Sequence, residues 1–595
     1  VPLAGDAAPN LWPPEGQQPR ASHLTLLAET QRGYANLCRV ISAGQLAGQK
    51  GHPHLTIQEV AQHAQGLVCL SGCRQGAVAA ALLAGREADA HRTANQLREI
   101  FSDRFWIEIQ RHSLPTDARL GGLLFALAQE LGIGIVATNN VHYAERSGQR
   151  LHDVLTCIRQ HTTLPEALAG GLLRSNSEMF LKPMPEMEVL FQDLSQATRN
   201  TLRIAERCDA NLDFSTQRLP DFSLPEGHTD ESYLRHLCEA GLQQRFGQSN
   251  SPKLIEQAKA QMAHELAVIG RIGLAGYFLV VWDIVRFACE RSIRCQGRGS
   301  AANSLVAYLL GLTPGDPLRH NLLFERFLSE GTHTMPDIDI DFAADRREEV
   351  IQYVYERYGE EHVGMVCNVV TYRARSAVRE VAKALAFPPD AIDRMAKALD
   401  TRSAAGAAEQ LLTFEPASEP ADLTDALTPT LPWHTLADLL RQMDGIPRHL
   451  SIHVGGMLIT AAPLVEVVPL ERATMPGRVV IQWDKDSVED AGLIKIDLLS
   501  LRTLGAVEEA LAHIQEHSGS APDLERVPLD DPAVYRLLQR ADTVGCFQVE
   551  SRAQVQMLPK LQPQRFEDIV VGVALIRPGP IQGGRVHPYL RRRQS

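Results

Sequence analysis

Thr334-Met-Pro-Asp-Ile-Asp-Ile-Asp-Phe342 alternates strictly between acidic and apolar side chains. Asp337, Asp339 and Asp341 point one way, and Ile338, Ile340 and Phe342 the other, which is the period-two pattern of a half-buried strand. Aspartate is a poor strand former, and carboxylates two residues apart repel one another. The acidic face therefore needs positive charge. A pair of divalent cations can supply it: Mg²⁺ takes hard oxygen ligands and is often shared with substrate phosphates. Two such ions roughly 3.5–4 Å apart clamp the attacking and leaving oxygens of a phosphoryl displacement. The other reading is a solvated edge strand whose acids guard against edge-to-edge pairing. The strand by itself leaves the two readings even.

Three neighbouring stretches add to it. Gly297-Arg-Gly-Ser300 reads as a tight turn opening a helix over Ala301–Leu310, where glycines admit a phosphate and first-turn N–H groups bind anions. An ordinary helix cap has the same pattern. Gly492-Leu-Ile-Lys-Ile-Asp-Leu-Leu499 is a second alternating strand, with Lys495 and Asp497 on one face. It suits a metal-bridged triphosphate, or a cross-strand ion pair. Leu323-Phe-Glu-Arg-Phe327 places Arg326 just ahead of the acidic strand, within reach of the same phosphates or of a surface carboxylate.

The chain has 595 residues, 44% of them hydrophobic and 22% charged, with a net charge of −12. That is the composition of a globular protein of about three or four domains. No uninterrupted apolar run is long enough to cross a bilayer, and Val1-Pro-Leu-Ala-Gly-Asp6 has no secretory pattern. A cytoplasmic location is expected. The first residue is not Met, so the chain is expected to begin inside a longer protein. Ten cysteines lack metal-site spacing; Cys69 and Cys73 form the one close pair, and all read as reduced thiols. The negative charge argues against a protein coated with basic residues, but screening within about 10 Å leaves room for a local basic cleft.

Residues 1–22, rich in Pro, Gly and Ala, are expected to be poorly ordered. From 23 to 215 apolar runs (Gly66–Leu70, Phe105–Ile109, Ile133–Ala137) alternate with amphipathic segments, the pattern of an α/β sheet or barrel. Asn211–Glu226 reads as a connector. Helices follow over 229–290 with a break at Gly273–Gly276, and Arg346–Tyr358 is a helix stopped by Gly359. Residues 369–447 read as mostly helical around a loop at Pro416–Pro429, 451–500 as β-rich, and the remainder as helical.

Gly297-Arg-Gly-Ser-Ala-Ala-Asn-Ser-Leu-Val-Ala-Tyr308, Asn321-Leu-Leu-Phe-Glu-Arg-Phe327 and Pro336-Asp-Ile-Asp-Ile-Asp-Phe342 together resemble the palm of the bacterial C-family DNA polymerases, the polymerase III α subunits. The resemblance continues through Gln482-Trp-Asp-Lys-Asp486, Lys495-Ile-Asp-Leu-Leu-Ser-Leu-Arg-Thr503 and Phe547-Gln-Val-Glu-Ser551. Gln548–Gln554, Met557-Leu-Pro559, Ile576-Arg-Pro-Gly-Pro-Ile-Gln582 and Val586–Arg593 resemble the error-prone, ImuC-type branch, linked to damage-induced mutagenesis.

The resemblance implies a multidomain α/β chain. Its parts would be a partial PHP-type (β/α) barrel at 23–215, a nucleotidyltransferase palm like that of polymerase β at 216–368 and 451–502, a helical thumb at 369–450, and the start of helical fingers at 503–595. It implies Asp337, Asp339 and Asp497 as catalytic ligands of two Mg²⁺ ions, with Asp341 at a position where related polymerases can carry Asn. Arg298, Gly299, Ser300, Arg326 and Lys495 would meet the phosphates of an incoming dNTP. Arg373, Arg375, Arg379 and Lys383 suit a thumb surface against primer–template DNA, although spacing alone favours a solvated helix face. Ala137-Thr-Asn-Asn-Val-His-Tyr143 resembles a late PHP motif with Asn140 in place of the usual Asp. Glu108, His112 and His142 are candidate surviving ligands there, and a structural remnant is favoured over a working phosphoesterase. His453-Val-Gly-Gly456 matches a family turn and is given no catalytic part. A processivity clamp and mutagenesis accessory proteins are the partners the resemblance implies for the full-length protein, and with incomplete fingers this chain alone is expected to be weak or inactive. A binding or scaffold module in a mutagenesis complex is the non-enzymatic alternative.

Overall fold

In the computed structural model the described residues are 2–3, 22–214, 222, 224–248, 251–328, 338–413, 432–524, 527–576 and 586–594. The chain divides into two compact units: residues 1–223, 332–337 and 352–497 form one, and residues 224–331, 338–351 and 498–595 the other. Asp337 and the Pro416–Pro429 loop lie outside the described residues, as does most of the 1–22 segment. Of that segment, β1 (Pro2–Leu3) pairs antiparallel with β2 (Ser22–His23).

The first unit opens with a four-stranded sheet: β3 (Thr25–Ala28), β4 (Leu67–Leu70), β5 (Phe105–Gln110) and β6 (Gly134–Thr138), in that order. β3 runs antiparallel to β4, and the other pairs are parallel. The three apolar runs are thus strands. β4 is buried along its whole length, as a strand covered on both faces should be. Helix Ser195–Arg207 is held to β6 by Asn200, whose Nδ2 donates to Ile135 O at 2.8 Å.

In the second unit β7 (Cys295–Arg298) pairs antiparallel with β8 (Asp339–Ala343), setting Arg298 opposite Asp339 and Gln296 opposite Asp341. Ile338, Ile340 and Phe342 are fully buried, so the apolar face of the acidic strand packs inward as its alternation predicts. The break between helices Pro252–Arg271 and Ala275–Glu290 falls at Gly273, in the left-handed region at φ +71°. Helices Arg502–Ser518, Pro532–Gln539, Arg552–Leu561, Phe566–Leu575 and Val586–Gln594 complete the unit.

Back in the first unit, β9 (Val363–Thr371), β10 (Pro447–Ile459), β11 (Leu470–Arg472) and β12 (Val479–Ile481) join β13 (Lys495–Leu501), whose last four residues belong to the second unit. The order is β11–β12–β9–β10–β13. β9 is at the centre of this ladder, and the reading of 369–447 as mostly helical runs over its last three residues, Val369, Val370 and Thr371, which are strand. Between β9 and β10 lie helices Ala374–Ala384, Pro389–Ala398, Ala404–Thr413 and Trp433–Met443. Their core (Val378, Val381, Leu440, Met443) also takes Val154 and Cys157 from helix Gln149–Gln160, far earlier in the chain. Among the described residues no single helix is long and apolar enough to cross a membrane.

Candidate active site

The second unit carries one acid-bearing strand. β8 holds Asp339 with its side chain 26% exposed and Asp341 at 8%. Arg298 reaches across from β7, its Nε 3.6 Å from Asp339 Oδ2 and 3.8 Å from Asp341 Oδ2. Burial pushes the Asp341 carboxyl above the usual range, and the attraction of Arg298 offsets only part of that. The loosely placed guanidinium therefore does not restore Asp341 to the ordinary carboxylate range.

Gly299 follows Arg298 in the left-handed region at φ +72°, a turn that disfavours any Cβ. Gly297 is glycine for a different reason: its N–H donates to Leu312 O at 2.6 Å, and a Cβ there would lie 2.6 Å from that oxygen. The α-helix expected from Ala301 starts later and is shorter. Gly299–Asn303 is a 3₁₀ turn, and the α-helix spans only Leu305–Leu309 with Ser304 as its cap. The reason is Glu265. This fully buried carboxylate accepts the N–H groups of Leu305 and Val306, both at 2.9 Å, and the Ser304 hydroxyl at 2.7 Å. The helix start is thereby occupied by the protein's own anion, so a phosphate would have to use the Gly299–Ser300 turn itself. Burial pushes the Glu265 carboxyl up, against the hydrogen bonds that favour its charged form. Arg326 sits exposed on the 3₁₀ turn Phe324–Arg326 and makes no ion pair among the described residues.

The first unit carries the other acid. Asp497 on β13 is 5% exposed and lies opposite Gly456 of β10. Lys495 Nζ holds its Oδ2 at 2.5 Å. Its Oδ1 is buried and accepts no hydrogen bond among the described residues. A hard oxygen donor left bare in this way fits a divalent cation. The His453 Nδ1 lies 3.6 Å from it, beyond hydrogen-bonding distance. Sequence reasoning gave this histidine no part; its spacing to Gly455-Gly456 was the available signal.

Arg373 caps helix Ala374–Ala384, along which Arg375, Arg379 and Lys383 are exposed at four-residue intervals. Arg379 is already paired with Asp393 at 2.7 Å.

The three PHP candidates are dispersed in their bonding. Glu108, on β5, lines a cavity of about 550 Å³ with His23, Cys73, Gln110 and Asn139. Its oxygens are engaged by Gly72 N at 3.1 Å, Gln110 Nε2 at 2.7 Å and the Thr138 hydroxyl. His112 is buried, with Nε2 on Asn139 O at 3.0 Å. His142 Nε2 accepts from Arg174 at 2.6 Å. Burial and then Arg174 lower the His142 pKa to about 4. Among the described residues the one three-group cluster with metal-ligand spacing is elsewhere: His513, Glu516 and His517, all exposed on helix Arg502–Ser518.

Comparison with known proteins shows the chain's family. The model of the bacterial DNA polymerase III alpha NTPase domain matches residues 232–500, the model of the finger domain of the same subunit matches 503–595, and a PHP domain model matches 8–112. Proteins named error-prone DNA polymerase align along nearly the whole chain. That of Mycobacterium tuberculosis H37Rv is 44% identical over 584 residues, covering 98% of this chain and 51% of its own length. The chain belongs to the bacterial DNA polymerase III alpha family. Its relative in Pseudomonas aeruginosa PAO1 is 43% identical over 577 residues (96% of this chain, 53% of that one), and the one in Symbiobacterium thermophilum is 41% identical over 592 (96% and 53%). The chain spans about half the length of the curated relatives it matches. Family membership puts Asp339 and Asp497 inside one matched domain, 232–500, although the two lie in different compact units.

Proposed function

We propose that the protein is a DNA-directed DNA polymerase of the error-prone type, adding dNTPs to a primer 3′-hydroxyl on a DNA template in damage-induced mutagenesis and translesion synthesis. The observation that carries this reading is the polymerase III alpha NTPase domain model matching over Asp339 and Asp497, with the finger domain model of the same subunit following it. Asp337, Asp339 and Asp497 are the proposed metal-holding acids, and two Mg²⁺ ions the proposed cofactor. Such ions activate the primer hydroxyl and neutralise the triphosphate and leaving pyrophosphate. The chain's own residues do the rest. Arg298 and the Gly299–Ser300 turn would receive phosphate oxygens, Arg326 has no competing ion pair among the described residues, and Lys495 fixes one oxygen of Asp497. A processivity clamp and mutagenesis accessory proteins are the proposed partners.

The test is single-nucleotide primer extension with Mg²⁺, run on this chain and on a full-length form, each with Asp339→Asn and Asp497→Asn. Extension by the full-length protein that both substitutions abolish is the expected result. Extension that survives either substitution removes that residue from the site. Metal-dependent phosphoester hydrolysis by the PHP portion is the weaker reading, because Glu108, His112 and His142 are each engaged by protein groups.

A further inference from the structure

β10 does not run straight past Asp497. Ile452 pairs with Cys367 of β9 and Met457 with Met365, so five steps on β10 match two on β9. The extra residues form a bulge that leaves Val454 73% exposed. Its backbone is tied down by its own first side chain. His453 Nδ1 faces the N–H of Gly456 at 2.7 Å and that of Gly455 at 3.3 Å. Two donors pointing at one ring nitrogen make that nitrogen the acceptor, and the neutral ring carries its proton on Nε2.

The bulge ends against Asp497. Gly456 is the ladder partner of Asp497, and a Cβ on Gly456 would lie 2.8 Å from His453 Nδ1 and 3.1 Å from Asp497 Oδ1. Ring, glycine and carboxylate thus share one tightly bounded space. Lys495 takes Oδ2, while Oδ1 accepts no hydrogen bond among the described residues, and the N–H groups of Gly455 and Gly456, nearest to it in the turn, are spent on His453.

We propose that His453 is the positioning residue for Asp497: by accepting the Gly455 and Gly456 N–H groups it keeps the bulge closed and leaves Asp497 Oδ1 open to a cation. The proposal rests on the polymerase reading of Asp497. Without the ring acceptor, either N–H is free to turn onto Oδ1 and compete with the metal. Residues that orient a metal ligand in this way change metal affinity by about 10–100-fold when replaced.

The test is Mn²⁺ binding to this chain, followed by the electron paramagnetic resonance of the free ion, with far-ultraviolet circular dichroism on each variant. His453→Leu keeps bulk and removes the acceptor, and should weaken binding about tenfold or more. His453→Asn restores an acceptor that can bond the N–H groups two and three residues on, and should bind close to wild type. Gly456→Ala, which intrudes on the same space from the other side, should reproduce the loss and serves if His453→Leu does not fold. Wild-type affinity in His453→Leu, or an Asn variant as weak as Leu, overturns the positioning role while Asp497→Asn still abolishes binding. Wild-type affinity in Asp497→Asn itself sinks the metal assignment, and the positioning role with it.

Discussion

Glu265 offers a perturbation whose size follows from its bonds. Oε2 receives the Ser304 hydroxyl and the Val306 N–H; Oε1 receives the Leu305 N–H and the Gln261 amide at 3.0 Å. In Glu265→Gln one of the two oxygens becomes an NH₂ group that meets donors on every side. At least one buried backbone N–H then loses its acceptor, at a cost of about 1–3 kcal/mol. At 1.4 kcal/mol per tenfold, local opening of the helix start becomes roughly 5- to 150-fold more frequent. Glu265→Ala orphans both N–H groups and should cost about 2–6 kcal/mol on the same basis. Hydrogen–deuterium exchange resolved on peptides covering residues 300–310 reads this directly. Protection should fall there while peptides covering β4 stay unchanged. Unaltered exchange over 300–310 in Glu265→Gln would refute the argument that this carboxylate sets the start of the helix and frees the Gly299–Ser300 turn from it.

Other outcomes rest on the same geometry. In a full-length form, Asp339→Asn and Asp497→Asn should each lower primer extension by about 100-fold or more, measured as single-turnover rate at saturating Mg²⁺. The His142 ring, whose pKa is lowered to about 4, stays neutral in the folded chain where an unfolded one would protonate below 6.5. Its contribution to stability is complete above pH 6.5 and is lost as pH falls from there toward about 4, so melting temperatures over that window should fall less steeply in His142→Gln. If Ala374–Ala384 meets DNA, Arg375→Ala and Lys383→Ala should each reduce the salt slope of binding by about one. Arg379→Ala should do less, because that guanidinium is held by Asp393.

What could be read from the residues alone divides along physical lines. Runs such as Gly66–Leu70 and Phe105–Ile109 announce their strands because a sheet buried on both faces demands continuous apolar residues. Gly273 and Gly359 mark helix ends because both occupy the left-handed region, at φ +71° and +91°. The alternation around Asp339 gives the strand and its two faces at once. The start of the helix after Gly299 was not legible, because its cap comes from Glu265 in a helix some forty residues earlier. β9 carried a signal, a run rich in valine, but Arg373 and the helical pattern after it masked where the strand ends. The bulge at His453 is invisible to a period-two reading, since the extra residues exist only relative to β9. The bonding of Glu108, His112 and His142 was equally out of reach, because their partners come from separate loops and strands.

The two acid-bearing strands meet the same electrostatic problem with different solutions, and the difference says what each acid is ready to do. On β8 Arg298 sits 3.6 and 3.8 Å from two carboxylates, too far for a tight bidentate pair with either. It draws on both carboxylates, and burial still pushes Asp341 up. A further positive charge at this strand would therefore gain from the Asp341 carboxylate. On β13 Lys495 is in close contact with Asp497 Oδ2, so that oxygen is spoken for, and only Oδ1 is left. Replacing Lys495 by Met separates these cases. If the lysine merely neutralises the acid, the loss of charge should strengthen Mn²⁺ binding at Asp497. If it holds the carboxylate in the rotamer that exposes Oδ1, binding should weaken, by the same 10–100-fold range expected for a residue that orients a ligand. The Lys495–Asp497 pair, with side chains 17% and 8% exposed, favours the second outcome, because a charge-assisted hydrogen bond largely shielded from water fixes orientation as well as charge.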